Sequence, residues 1–219
     1  MIARRSLNER ILLPVEEAEL EGFLSCPESP VGMVVLALGT SSSRYYRRIQ
    51  EVALALGEAG LGTVVVDLLT SEEDRVYLHR YDIPLLADRL RGVTGGIRDR
   101  LARTPLGIGV LSASTGAAAA LWAASDPESE FRAIVSCEGR PDLVEDLLPE
   151  VTVPTLLVAG ANGGVVTRLN AEAYSRIAGP KDMIVVPGAT NPFEEPIALA
   201  TVIHQAIHWF QRFLPDQQQ

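Results

Sequence analysis

The sequence predicts an α/β domain in which a mostly parallel, eight-stranded sheet is flanked by helices. Three observations carry that expectation. Short apolar, β-branched runs alternate with longer helical patterns, and such alternation builds βαβ units. The chain has 219 residues, 47% of them hydrophobic, enough for one domain with a substantial core. An apolar strand at 106–111 turns through serines into an alanine-rich helix ending at Ala124. No internal repeat and no interdomain linker breaks the pattern, so 1–219 reads as a single domain.

The elements follow in order. Segments 10–14 and 19–25 form an antiparallel hairpin at the sheet edge, within an N-terminal stretch 1–25. A buried strand follows at 31–38. A helix runs from near Tyr45 to Glu58, and Gly60 and Gly62 stop it. The next strand is 63–68, and its loop, 69–80, begins acidic and contains His79. Asp82 caps a long amphipathic helix over 82–101. After the serine turn and its helix come a strand at 131–137 and a short helix near 143–148, with Pro149 and Pro154 bracketing a connection. A strand at 155–160, a helix at 169–177, a strand at 183–187 and a closing helix over 196–213 complete the pattern. Residues 215–219 read as a disordered tail. Ligands of such sheets bind beyond the carboxyl ends of the strands. The loops to search therefore follow Leu38, Leu68, Leu111, Cys137, Gly160 and Pro187.

Composition excludes several function classes. Nineteen Lys and Arg against 28 Asp and Glu leave a net charge of −9. Nucleic acid and anionic membranes need basic surface, so no nucleic-acid and no membrane partner is expected. Cys26 and Cys137 are far apart in sequence, and Cys137 ends an apolar strand, as a reduced core thiol does. The N-terminal segment has no apolar signal core, and no apolar run approaches membrane-spanning length. A cytoplasmic protein is the expectation.

The serine turn reads Leu111-Ser112-Ala113-Ser114-Thr115-Gly116. A serine at the apex of a strand-to-helix turn is held in strain with its hydroxyl exposed above the sheet. Ala113 and Gly116 leave room for the turn, and the alanines at 117–120 let the helix lie close to the strands. Further matching stretches are Leu38-Gly-Thr-Ser-Ser-Ser-Arg44, Val66-Asp-Leu-Leu-Thr70, Gly139-Arg-Pro-Asp-Leu143 and Pro187-Gly-Ala-Thr-Asn-Pro-Phe-Glu-Glu-Pro196. With these residues the chain resembles the α/β-hydrolase fold over nearly its whole length. More narrowly, it resembles the dienelactone-hydrolase-like branch of serine or cysteine hydrolases.

The resemblance implies Ser114 at the nucleophile position. It implies an oxyanion hole from the backbone N–H of Thr115 and an N–H of the turn holding Thr40 and Ser41. It also implies an acid in a Gly-x-x-Asp-x-x-Val pattern after the strand ending at Gly160. A histidine should follow in Pro-Gly-Ala-Thr-His after the last strand. Here Gly163 stands in the acid slot and Asn191 in the histidine slot. The pattern departs too at Leu38, Ser41 and Ser112, where the family commonly has His, Gly and Gly. A serine hydroxyl is a weak nucleophile until a base takes its proton. Losing the histidine of such a triad costs on the order of a million-fold in turnover.

Two residues are candidate substitutes. His79 lies in a loop at the correct end of the sheet, where an ordinary exposed loop histidine is the alternative. Glu138 follows the strand that ends at Cys137, where some α/β-hydrolases carry an alternative acid; a structural pair with Arg140 is the preferred reading. His204 and His208 read as packing or surface residues, and Cys137 is off the turn and structural. No metal and no cofactor is expected. The function expected is carboxylic-ester or lactone hydrolysis through Ser114, with activity weak or lost. The alternative is a non-catalytic protein binding a small molecule or a partner in the same pocket.

Overall fold

The computed structural model describes residues 7–38, 43–101, 105–190 and 195–215. Its strands are β1 (Leu7–Val15), β2 (Ala18–Cys26), β3 (Met33–Leu38), β4 (Gly62–Asp67), β5 (Ile108–Ala113), β6 (Phe131–Gly139), β7 (Thr155–Gly160) and β8 (Lys181–Val186). They form one sheet in the order β1-β2-β4-β3-β5-β6-β7-β8. β1 and β2 pair antiparallel, β2 meets β4 antiparallel, and every later pairing is parallel. The helices are α1 (Ser43–Glu58), α2 (Ile83–Arg100), α3 (Ser114–Ala124), α4 (Val165–Arg176) and α5 (Pro196–Phe213).

Burial follows the pairing. β3 and β7 are buried at every residue because helices cover both their faces. β1 alternates along its second half, burying Ile11, Leu13 and Val15 and exposing Leu12 and Pro14. One core layer packs α2, α3 and α4 against the sheet, and the other packs α1 and α5. No helix among the described residues is long and apolar enough to cross a membrane.

The expected elements are present, with shifted ends. β5 runs on to Ala113, so strand passes into helix with no intervening residue. α4 starts four residues before the expected Leu169, at Val165. Its entry is made by Gly164 at φ +60°, a conformation glycine adopts without steric cost. The 69–80 loop is not irregular. It folds into 3-10 turns at Glu73–Arg75 and Tyr77–Tyr81. Asp82 caps α2 as expected, its carboxylate accepting from the Leu85 N–H at 3.1 Å. The short helix near 143–148 is a 3-10 segment, Pro141–Glu150, kinked at Val144.

Phe210 of α5 is fully buried and lies on Gly109 of β5. A Cβ at residue 109 would stand 2.6 Å from the Phe210 ring. Gly109→Ala is therefore expected to destabilise the protein by about 1–3 kcal/mol through overpacking. The check is a urea titration in which the midpoint falls while the slope stays unchanged.

Candidate active site at the carboxyl edge of the sheet

Two non-glycine residues with left-handed backbones stand at neighbouring strand ends. Ser114 has φ +51° and Glu138 has φ +48°. Register brings them together, because Ala113 of β5 lies opposite Cys137 of β6 and the next residue on each strand is one of this pair. Side chains in this region of backbone space are costly, and such outliers cluster where structure serves function. Ser114 is exposed and opens α3. Its carbonyl accepts from the Arg140 N–H at 3.2 Å, and a parallel bridge joins it to Gly139. This is the strained strand-to-helix turn expected from the sequence.

The surroundings hold that turn in place. Thr115 is buried in the first turn of α3, where backbone N–H groups lack helical acceptors and favour negative charge. Ser112, where the family pattern has glycine, is 1% exposed and donates its hydroxyl to the Ala37 carbonyl at 2.6 Å. It ties β5 to β3 just before the turn. A Cβ at Gly139 would meet the Ser136 hydroxyl at 2.2 Å and the Ala117 methyl at 3.1 Å. That glycine lets β6 pass under α3. Asn170, fully buried on α4, donates to the Gly139 carbonyl at 3.1 Å and fixes the end of β6 from the other side.

Glu138 does not pair with Arg140, so the preferred structural reading of this residue is corrected. Arg140 forks onto Asp142, two bonds of 2.8 and 2.7 Å, which hold the Asp142 carboxyl below its ordinary range. Proximity in sequence misled here, because Glu138 is turned away by its left-handed backbone. Its carboxylate crosses to β7 and accepts from the Gly160 N–H at 2.6 Å. Burial raises its pKa above the usual carboxylate value, and the Gly160 N–H partly opposes the rise. The same carboxylate borders Gly163: a Cβ built there would lie 3.5 Å from Glu138 Oε2 and 2.8 Å from the Thr167 hydroxyl.

The loop after β8 reaches this spot. Asn162 donates its backbone N–H to the Ala189 carbonyl at 2.8 Å. A Cβ at Gly160 would stand 2.4 Å from the Ala189 oxygen and 3.0 Å from the Thr190 oxygen. Asn191, Thr40 and Ser41 lie outside the described residues. His79 sits in the Tyr77–Tyr81 turn with Nδ1 3.1 Å from the Glu73 carbonyl oxygen. His204 and His208 are exposed neighbours on α5, Nε2 to Nε2 3.1 Å. Among the described residues no group of three side chains is arranged to hold a metal ion. Cys137 and Cys26 are buried and not joined in a disulfide, and burial pushes the Cys137 thiol far above its usual range.

Two features were not drawn from the sequence. Thr70 and Glu73 form a reciprocal cap: the Thr70 N–H donates to the Glu73 carboxylate at 2.8 Å, and the Glu73 N–H donates to the Thr70 hydroxyl at 3.2 Å. The spacing Thr-x-x-Glu signals that motif. Asp67, at the carboxyl end of β4, has its pKa pushed up to about 6 by burial and then by Asp74. It shares a cleft of about 470 Å³ with Arg10, Phe23 and Leu38. Only the assembled sheet reveals that burial.

Comparison with known proteins agrees with the fold. The crystal structure of a dienelactone hydrolase from Anabaena variabilis matches with a TM-score of 0.88 and 39% identity, over 95% of this chain and 99% of that one. An esterase of Pyrococcus furiosus matches in fold, with a TM-score of 0.73 at 14% identity, over 95% of this chain and 93% of that one. Proteins of two Mycobacterium tuberculosis strains, each named "Putative phosphoribosyl transferase", are 45% identical over 203 residues. These residues are 93% of this chain and 46% of those proteins, so the chain spans about half the length of the curated relatives it matches. No family model matches.

Two stability measurements probe the edge. Ser114→Gly relieves a left-handed side chain while loosening the unfolded chain, for a net gain of about 0.5–1 kcal/mol in denaturant unfolding. For Asp67, the folded pKa of about 6 lies above that of an ordinary aspartate. The folded state thus holds the proton more tightly, and stability falls as pH rises between about 4 and 6. Asp67→Asn removes that loss. Allowing for partial solvent access, the variant should exceed the parent by about 1–2 kcal/mol at pH 7, with the pH-dependent part of that gain absent below about pH 4.

Proposed function

Because the chain belongs to the dienelactone hydrolase family of the α/β-hydrolase fold, we propose that it carries an acyl-handling site centred on Ser114. The site acts on small carboxylic esters or lactones, with turnover far below that of a complete triad. The observation that carries this reading is the exposed, left-handed Ser114 where β5 becomes α3. From there the hydroxyl oxygen attacks an ester carbonyl carbon. The developing oxyanion faces the Thr115 N–H at the positive end of α3; the family resemblance assigns the second donor to Thr40 or Ser41, which lie outside the described residues. The Ser114 proton passes through solvent to the departing alkoxygen, the C–O bond breaks and the alcohol leaves, and water then hydrolyses the acyl-serine to the acid and restores the hydroxyl.

Proton transfer lacks its usual agent. Asn191 holds the histidine slot of the sequence pattern, and an amide has no basic nitrogen. An oxyanion hole and binding alone still give roughly a thousand-fold over water. A slow hydrolase is the consistent outcome. The same substitution favours a second reading, a small-molecule-binding protein that uses the family pocket without turnover. The transferase name of the mycobacterial relatives belongs to proteins about twice this length, of which this chain matches 46%.

A fluorophosphonate probe and a short-chain chromogenic ester decide between the two, each run beside Ser114→Ala. The hydrolase reading expects slow labelling of the parent, none of the variant, and ester turnover above the variant's background. A parent that neither labels nor exceeds that background, yet retains an ester analogue in equilibrium dialysis, is a binding protein.

A further inference from the structure

We propose that His204 and His208 form a bidentate site for a divalent transition-metal ion on the outer face of α5, and that the ion braces this helix against the sheet. The inference is independent of the Ser114 reading. Four residues apart on a helix, the two side chains share one face. Both are exposed. Their Nε2 atoms stand 3.1 Å apart while the ring centroids are 4.4 Å apart. The rings therefore converge through their nitrogen edges. They are inclined at 69°, so they do not stack. The sequence shows only the spacing; the convergence of the two nitrogens is what the structure adds.

The separation suits chelation. Imidazole nitrogen binds such ions at about 2.0–2.1 Å, so a pair 3.1 Å apart subtends roughly 95–102° at the ion. That lies between the right angle of tetragonal ions and the tetrahedral angle of zinc. As a hydrogen bond, the contact needs a proton on one Nε2. Under an ion both rings carry their proton on Nδ1 and both Nε2 lone pairs face the metal. That change is a tautomer shift of one ring through solvent, and it releases no net proton. Water fills the remaining positions, since among the described residues no third protein ligand joins the pair.

The donor set names the class of ion. Imidazole suits copper, nickel and zinc, whereas calcium and magnesium want oxygen ligands. α5 carries no Asp, Glu or Lys, so no carboxylate of this helix draws the harder ions to the pair. Its one charged residue, Arg212, lies with its guanidinium 4.9 Å from the Phe213 ring. The net charge of −9 favours the approach of cations in general.

The pair spans the turn that leads into three anchors. Phe210 lies on Gly109 of β5, the Trp209 N–H donates to the Pro154 carbonyl at 3.4 Å, and Gln211 donates to the Ala59 carbonyl at 3.1 Å. The two nitrogens converge only while that turn is helical. An ion bound there therefore favours the folded chain over the unfolded one, by an amount that grows with the logarithm of ion concentration.

The test is equilibrium dialysis of the untagged full chain against copper, nickel, zinc or calcium chloride, with thermal unfolding in the same solutions. Three variants run beside the parent: His204→Ala, His208→Ala, and His208→Ala combined with Gln205→His. The last keeps two histidines but places them on adjacent residues, which do not face each other. Alanine is a strong helix former, so the variants keep α5, and unchanged unfolding in metal-free buffer checks this. The parent should hold a single ion per chain, copper more tightly than nickel or zinc and calcium not at all, with Tm rising as the ion is added. Each variant, the adjacent pair included, should lose roughly tenfold or more in affinity, because a chelate becomes a single contact, and should lose the Tm rise. Equal affinity in parent and single variants overturns the site, and so does full affinity in the adjacent pair. Two chains per ion by light scattering overturns completion by water. Retention with no rise in Tm overturns the brace.

Discussion

The closeness of α3 to the sheet sets the geometry of everything at its carboxyl edge. Ala117, Ala118, Ala119 and Ala120 are fully buried, so the helix presents methyl groups where most helices present longer chains. Gly139 lies beneath, with room for no Cβ beside Ala117 and Ser136. A helix this near its strand leaves no slack for a connecting loop. The chain must reverse within one residue, and Ser114 takes the left-handed conformation that does so. Tight packing elsewhere sustains the strain, since a close-packed interior does not relax continuously around one costly residue.

A second close approach governs the opposite wall. Gly160 admits the loop after β8 because it has no side chain, and its N–H is left to face β6. Glu138 takes that donor with a half-buried carboxylate. β6, β7 and the loop after β8 thus meet at one backbone amide. Asn170 reinforces the meeting by bonding the Gly139 carbonyl from α4.

The wall on the side of β1 is organised by Arg89, 5% exposed on α2. It donates to the Val15 carbonyl at 2.5 Å and to the Glu73 carboxylate at 3.0 Å. Burial works against the charge of Glu73, but the Thr70 N–H and hydroxyl and the Arg89 guanidinium together bring its pKa below the usual value. A buried charge of this kind is tolerated because it is paired and hydrogen-bonded. The consequence is that the 69–82 connection is anchored to the core rather than free to vary. Val76, Tyr77, Leu78 and Tyr81 are displayed on its outer surface.

Local patterns were enough for the fold and for the strand-to-helix turn at Ser114. Strand runs such as 33–38 and 155–160 are apolar throughout, and the passage from β5 into an alanine helix leaves one place for a serine apex. The Asp82 cap and the α5 limits were legible for the same reason: each rests on residues adjacent in sequence. Glu138 was read wrongly because the nearest opposite charge, Arg140, is two residues away in sequence but is claimed by Asp142. Its partner, the Gly160 N–H, is 22 residues distant and becomes a neighbour only through the β6–β7 pairing. The raised pKa of Asp67 likewise depends on burial that no local pattern encodes. Periodicity and turn chemistry, which act over a few residues, determined the architecture and the serine turn. Which carboxylate lies beside Gly163 depends on strand register and side-chain direction, and only the tertiary structure decided that.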